Sequence, residues 1–323
     1  MANFSEEGEY ERLRKHIPVL AGTKDISIER GISLRKDLQS VLSLFKYLRR
    51  EKFDVVHSVT PKAGLVTALA SRMAGIKHRI HIFTGQVWAT RQGIMRMMLK
   101  QFDKLIAKLD NHILVDGEAQ RQFLISEGIV SSDKSKVLGA GSICGANTSR
   151  YTPDEKVRAE QRKLLNIPED KLVYCFMGRL NRDKGIYELL EAFNLLANHY
   201  TNIYLLIFGR DEEHCMADLS RYKNIIDKEN FLYYGPTPTP QLSLQAADVF
   251  CLPSYREGFG MSVIEASCLG LPVICSDAYG LADTMVNNKT GLRCKVGDVE
   301  TLKDAMQYFY DNPIECKRMG TQG

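Results

Sequence analysis

Apolar residues along this chain follow two alternating rhythms, short unbroken runs and longer stretches with a helical period. Leu38, Val41, Leu42, Leu44, Phe45 and Leu48 recur at helical steps, which predicts a helix over 38–50 that ends in basic residues. Apolar bursts at 53–57, 79–83, 112–115 and 136–139 predict strands, and 62–74 and 93–109 predict two more helices. Residues 151–171 are polar and irregular with Pro153 and Pro168, and read as a linker carrying a short helix. The alternation then resumes, with strands expected at 172–177, 203–208, 231–234, 249–252, 272–275 and 291–294. Helices are expected between them at 183–197, 240–247, 261–269 and 299–310. Strands that alternate with helices imply parallel sheets covered on both faces, hence an α/β chain of two doubly wound domains, 1–155 and 156–323. Ligands of such sheets bind beyond the carboxyl ends of the strands.

Composition agrees with that division. A chain of 323 residues is long for one core, and 44% hydrophobic with 25% charged residues is a globular balance. The net charge of +4 suits an anionic ligand or membrane surface and is too small to indicate a nucleic-acid partner. Eight cysteines include no C-x-x-C pair, and Cys175, Cys251 and Cys275 sit inside apolar runs as small hydrophobes. Free thiols in a reducing cytoplasm are therefore expected, with neither disulfides nor zinc. The first fifteen residues lack the apolar core of a signal peptide, and no run approaches membrane-spanning length. A cytoplasmic chain is expected, touching a membrane from outside if at all.

Two segments carry chemistry. In Pro253-Ser254-Tyr255-Arg256-Glu257-Gly258-Phe259-Gly260-Met261, a strand runs through a small-residue loop into a helix. Backbone amides there can approach a ligand closely, and a helix N-terminus favours negative charge, so Gly258, Phe259, Gly260 and Met261 read as a phosphate cradle. Glu257 before the cradle and Glu265 beyond it would repel a phosphate unless each accepts hydrogen bonds from hydroxyls, one set on a sugar and one on a ribose. Read alone, they are equally a first-turn helix acid and a solvated helix residue. Gly178-Arg179-Leu180-Asn181-Arg182-Asp183-Lys184-Gly185 also follows a strand and opens a helix. Cations at a helix start oppose its dipole unless an anion is present, so Arg179 and Lys184 read as a diphosphate clamp. Gly209 and Arg210, which end the next strand, are counted with these donor-binding loops.

The order G-R-L-x-x-x-K-G, P-S-x-x-E-G-F-G-x-x-x-x-E-A, G-L-P-V-I and N-K-T-G-L resembles glycosyltransferase family 4 from about 173 to 297. The resemblance implies a retaining enzyme of the GT-B fold, two Rossmann-like domains facing a cleft. It gives Glu257 to the transferred sugar, Glu265 to the ribose, and Arg179 and Lys184 to the diphosphate, with no cofactor and no essential metal. The first half resembles the family's bacterial surface-polysaccharide branch. There His57, Lys62, Thr84, Gly85 and Trp88 fall in loops that would line the acceptor side. Many relatives carry His-Gly where Thr84-Gly85 stands, so no histidine role transfers to that position. His57 reads equally as a buried strand-end residue. Trp88, the single tryptophan, suits either stacking on a sugar or packing. The segment Gly139–Gly145 is given a backbone role only.

Members of the family open with a strand and glycine loop, and this chain is expected to begin after them; Met1–Lys15 reads like the polar helix that follows, and helices are expected to be missing at the C-terminus. A first sheet with an open edge is the consequence. On helix 93–109, Arg96, Lys100, Lys104 and Lys108 lie opposite Ile94, Met98, Phe102, Leu105 and Leu109, which fits a helix packed by its apolar face, or an anionic membrane contact. The expected activity is transfer from a nucleoside diphosphate sugar, UDP first among them, to a saccharide or polyprenyl-diphosphate-linked saccharide in capsule or O-antigen synthesis. The alternatives are an epimerase or hydrolase on the same scaffold, or a non-catalytic nucleotide-sugar binder. A dinucleotide oxidoreductase is disfavoured, since no G-x-G-x-x-G follows a strand.

Overall fold

The computed structural model describes residues 24–29, 31, 33–217, 219, 220, 222, 225 and 230–323. The helix expected over Met1–Lys15 lies outside them. The chain forms two compact units, one from residues up to Thr84 with Gln92–Val115 and Leu124–Lys136, the other from Gly85–Arg91, Asp116–Phe123 and Val137–Gly323.

The first unit holds four strands, β1 (Val55–Ser58), β2 (His78–Phe83), β3 (His112–Val115) and β4 (Ser135–Val137), in the order β1-β2-β3-β4. Register runs parallel from β1 to β2 and from β2 to β3. Helices α1 (Leu34–Glu51), α2 (Pro61–Met73) and α3 (Gly93–Leu109) lie where the apolar periodicity places them. Val41, Leu44 and Leu48 of α1 pack with Val56, Val66, Ala70 and Ile76. Among the described residues, β1 is the outermost strand on its side of the sheet.

Two expectations change here. His57 is exposed, because β1 alternates and turns Val56 and Ser58 inward instead. The buried histidine is His81 on β2, 1% exposed, with Nδ1 2.8 Å from the Ser58 hydroxyl and Gly64 of α2 against its ring. On α3 the buried residues are Asp103, Ile106 and Ala107, whereas Ile94 (78% exposed), Met95, Met97 and Leu105 face outward. The basic face is not wholly solvated either, since Arg96 and Lys100 both pair with Glu127.

Burial, with repulsion from His57, lowers the His81 pKa to about 4 from 6.5. Between those values the unfolded chain takes up a proton that the folded chain refuses, so stability is complete above pH 6.5 and declines as pH falls toward 4. Asp110 and Asp116, raised by burial to about 6, act in the opposite sense, losing stability as pH rises. A His81→Gln variant isolates the first effect. Between about pH 7 and 4.5, urea denaturation should show its stability gap to the parent changing by roughly 2 kcal/mol.

The second unit is built on six strands, β5 (Leu172–Met177), β6 (Ile203–Phe208), β7 (Phe231–Gly235), β8 (Val249–Leu252), β9 (Val273–Ser276) and β10 (Gly291–Cys294), ordered β10-β9-β8-β5-β6-β7. Every adjacent pair is parallel. This is the Rossmann order, with the topological switch between β5 and β8. The strands are near-continuous apolar runs because both faces are covered. Flanking them in chain order, after the short α4 (Glu118–Ser126) that the sequence reading missed, are α5 (Glu155–Leu164), α6 (Ile186–His199), α7 (Pro240–Ser243), α8 (Met261–Cys268), α9 (Val299–Asp311) and α10 (Pro313–Thr321). The polar 151–171 segment is no loose connection. Tyr151, Leu165 and Ile167 belong to the core, and Arg162 is fully buried.

Candidate active site

The loops after β5 and β8 flank the switch point, and both expected motifs lie on them. Each needs glycine for a stated reason. Gly260 caps α8 at φ 73°, and Gly185 opens α6 at φ 70°, where a Cβ would stand 2.1 Å from the Pro253 carbonyl oxygen. Gly209, at the end of β6, has φ 143°, and a Cβ there would lie 1.7 Å from the Gly178 carbonyl oxygen. The three strand ends are thus drawn together to distances that side chains would forbid.

Folding places Lys184 against Glu257: the ammonium bonds Glu257 Oε1, which also accepts from the Ser254 hydroxyl at 2.9 Å. Lys184 and Glu257 are 18% and 11% exposed at their side chains. Arg179 is more open and pairs with Glu212 at 3.1 Å, and Asn181 holds the same carboxylate at 3.0 Å. Arg210 is exposed, and its carbonyl accepts from the Leu180 amide. Phe259 is half-buried, and a Cβ at Gly141 or Gly117 would strike its ring. Met261 and Glu265 both lie on α8, and burial, with the Glu265 carboxylate nearby, pushes the Tyr151 phenol well above its usual range.

The residues expected on the acceptor side are dispersed. Gly85 belongs to the second unit, where a Cβ on it would lie 3.0 Å from the Gly258 nitrogen. Trp88 is 1% exposed and stacks on Phe123 at 5.4 Å, which in turn stacks on Tyr279 at 4.1 Å. Of the two roles the sequence allows, packing and stacking on a sugar, these surroundings fit packing, because the ring is enclosed. His57, Lys62 and Thr84 fall in the first unit; Lys62 pairs with Asp37 at 2.7 Å, and Thr84 is half-buried. Sequence reading missed Ser254, Asp183, Arg256 and Tyr151. The first three stand inside quoted motifs, and the charge order Asp183-Lys184 facing Arg256-Glu257 was a usable signal.

A 380 Å³ cleft lined by Arg158, Leu172, Asp248, Leu271 and Pro272 lies at the amino ends of β5, β8 and β9, the end that such sheets do not use for ligands. Among the described residues no three His, Cys, Asp or Glu side chains gather to hold a metal ion. The eight cysteines are free thiols, six of them buried.

Two parallel-sheet α/β units, of four and six strands, are the architecture of a GT-B fold. The comparisons with known proteins are specific. Residues 157–323 match the glycosyl transferases group 1 family, and residues 8–141 match the glycosyl transferase 4-like domain. The chain is similar to the capsular polysaccharide biosynthesis glycosyltransferase CapM of Staphylococcus aureus, 30% identical over 92% of this chain and 78% of that one. It is also 27% identical to the Escherichia coli UDP-Gal:alpha-D-GlcNAc-diphosphoundecaprenol alpha-1,3-galactosyltransferase, over 88% of this chain and 73% of that one. Anabaena Alr3699/HepE, solved with UDP and glucose, shares the fold with a TM-score of 0.77 at 16% identity, covering 98% of this chain and 83% of that one. The chain belongs to glycosyltransferase family 4 and is a glycosyltransferase of the GT-B fold.

Proposed function

We propose that this chain moves a hexosyl or N-acetylhexosaminyl group from a UDP-sugar to a polyprenyl-diphosphate-linked saccharide, retaining the anomeric configuration and needing no essential metal. The observation that carries this is the Lys184–Glu257 pair at the β5–β8 switch. As the anomeric bond loosens, the sugar gains positive character and the diphosphate negative. Lys184 and Arg179 with the amides from Gly258 to Met261 stabilise the departing diphosphate, and Glu257 holds the sugar. Glu265 grips the ribose hydroxyls, and Gly178, Gly209 and Arg210 complete the donor side. The named donor and lipid-linked acceptor of the Escherichia coli relative support the substrate classes, and the UDP complex of the Anabaena protein supports the base.

Calorimetry tests the donor half. UDP should bind without metal, more tightly than GDP or ADP, and Glu265→Ala should weaken it by roughly tenfold, as expected for lost hydrogen bonds to a charged group. A well-folded chain that binds none of the three refutes the reading.

The same proposal places the chain on the cytoplasmic face of the plasma membrane. No described helix is long and apolar enough to cross a membrane. At the start of α3, however, Ile94, Met95 and Met97 are exposed on the helix that also carries Arg96 and Lys100, an arrangement suited to an anionic lipid surface. Replacing the three apolar residues by serine should cut sedimentation with phosphatidylglycerol vesicles by about tenfold, and equal sedimentation would remove the α3 contact.

A further inference from the structure

Lys184 and Glu257 each have a charged neighbour in sequence, and the two neighbours also meet. Asp183 Oδ2 accepts from Arg256 Nε at 3.0 Å and from Nη2 at 2.7 Å. The Asp183 carbonyl accepts the Tyr255 amide at 2.9 Å, and its Oδ1 accepts from the Thr90 hydroxyl at 3.1 Å. The remaining Arg256 nitrogen, Nη1, donates to the Gly85 carbonyl at 3.4 Å. The β5 and β8 loops are therefore joined by two ion pairs of opposite sense, Asp183 to Arg256 and Lys184 to Glu257.

These pairs have different fates on donor binding. If Lys184 turns to the diphosphate and Glu257 to the sugar, the inner pair gives up part of its mutual contact. We propose that the outer pair, Asp183–Arg256, is a positioning clasp that holds the two loops in register while the inner pair is engaged with the donor. This rests on the donor-site reading above. Arg256 is not itself a phosphate ligand in this assignment: its guanidinium is already committed to Asp183 and Gly85, and its side chain is 18% exposed. The clasp acts on turnover more than on affinity, because the cradle amides and Arg179 keep their hold on the nucleotide whereas the Lys184-to-Glu257 spacing loosens. A displacement of about 1 Å in such a site costs on the order of 100-fold in rate.

The test uses the full chain, UDP affinity by calorimetry, and UDP release from a pool of UDP-glucose, UDP-galactose, UDP-N-acetylglucosamine and UDP-N-acetylgalactosamine. Release is followed to water and to a short polyprenyl-diphosphate-linked N-acetylglucosamine. Arg256→Gln should lower kcat by roughly 10- to 100-fold with UDP affinity changed less than about threefold. Asp183→Arg and Arg256→Asp should each lose at least as much, and the reciprocal double variant should regain about tenfold over either single one. Three results overturn the clasp: parent-like turnover in Arg256→Gln, a loss of UDP affinity as large as the loss of kcat, or a double variant no better than the singles. Thermal unfolding of the Arg256→Gln variant, expected within a few degrees of the parent, separates a folding defect from these effects. Full turnover in Lys184→Ala and Glu257→Gln would instead sink the donor-site reading itself, a distinguishable failure.

Discussion

Replacing Lys184 by alanine should reduce turnover by about 100- to 1000-fold, the scale set by removing one preorganised donor from a developing anion. Two interactions are lost together. On the proposed donor-site reading the departing diphosphate loses a cation, and Glu257 loses its bond from Lys184 while keeping that from the Ser254 hydroxyl. Neither residue belongs to the hydrophobic core, so the unfolding midpoint should stay within a few degrees of the parent. UDP affinity should fall less than turnover, since the amide cradle remains and its interactions are made before the bond breaks. Steady-state UDP release alongside calorimetry checks both numbers. Turnover within a few-fold of the parent would remove Lys184 from the chemistry.

The largest effect on stability should come from Arg162. It is fully buried, and its guanidinium donates to the Ala246, Pro168, Glu169 and Lys171 carbonyls and, at 2.7 Å, to Asp248. Asp248 also accepts from Arg158 and the Val173 amide, which ties α5 to the entry of β5. Burial pulls the Arg162 pKa down, the mark of a charge held at a desolvation cost. Arg162→Ala leaves several carbonyls and part of a carboxylate unpaired and should cost about 3–5 kcal/mol by urea denaturation. A loss below about 1 kcal/mol would mean that water replaces the guanidinium without strain.

The parallel strands of the second unit were legible because burial on both faces writes them as continuous apolar runs, as in Leu172–Met177 and Ile203–Phe208. Elements held by a few long-range contacts were not. Glu118–Ser126 has only a weak apolar stripe, and Arg162 reads as one more charge in a polar stretch until Asp248, 86 residues on, completes its setting. His57 and His81 could not be told apart as buried and exposed, because strand phase depends on which neighbour each strand pairs with. Ile94 and Leu105 looked like core positions by spacing alone, but α3 rotates Ile106 and Ala107 inward. In the site, Lys184 and Glu257 were readable as types at a spacing. Their contact, and that of Asp183 with Arg256, joins residues 73 positions apart, which no local pattern records.

That separation governs when the site comes into being. The β5 and β8 loops meet at the end of a strand pair, Tyr174 with Val249, whose two partners are separated in the chain by β6 and β7. Closing so long a segment carries an entropic cost that local helices escape, so this pairing belongs to the late, slow part of assembly. On the donor-site reading proposed above, a ribosome-bound chain that ends short of β8 carries only the β5 half of the clamp. On that reading, retention on a nucleotide resin should select molecules whose central sheet is complete, and would serve as a quality control for the preparation.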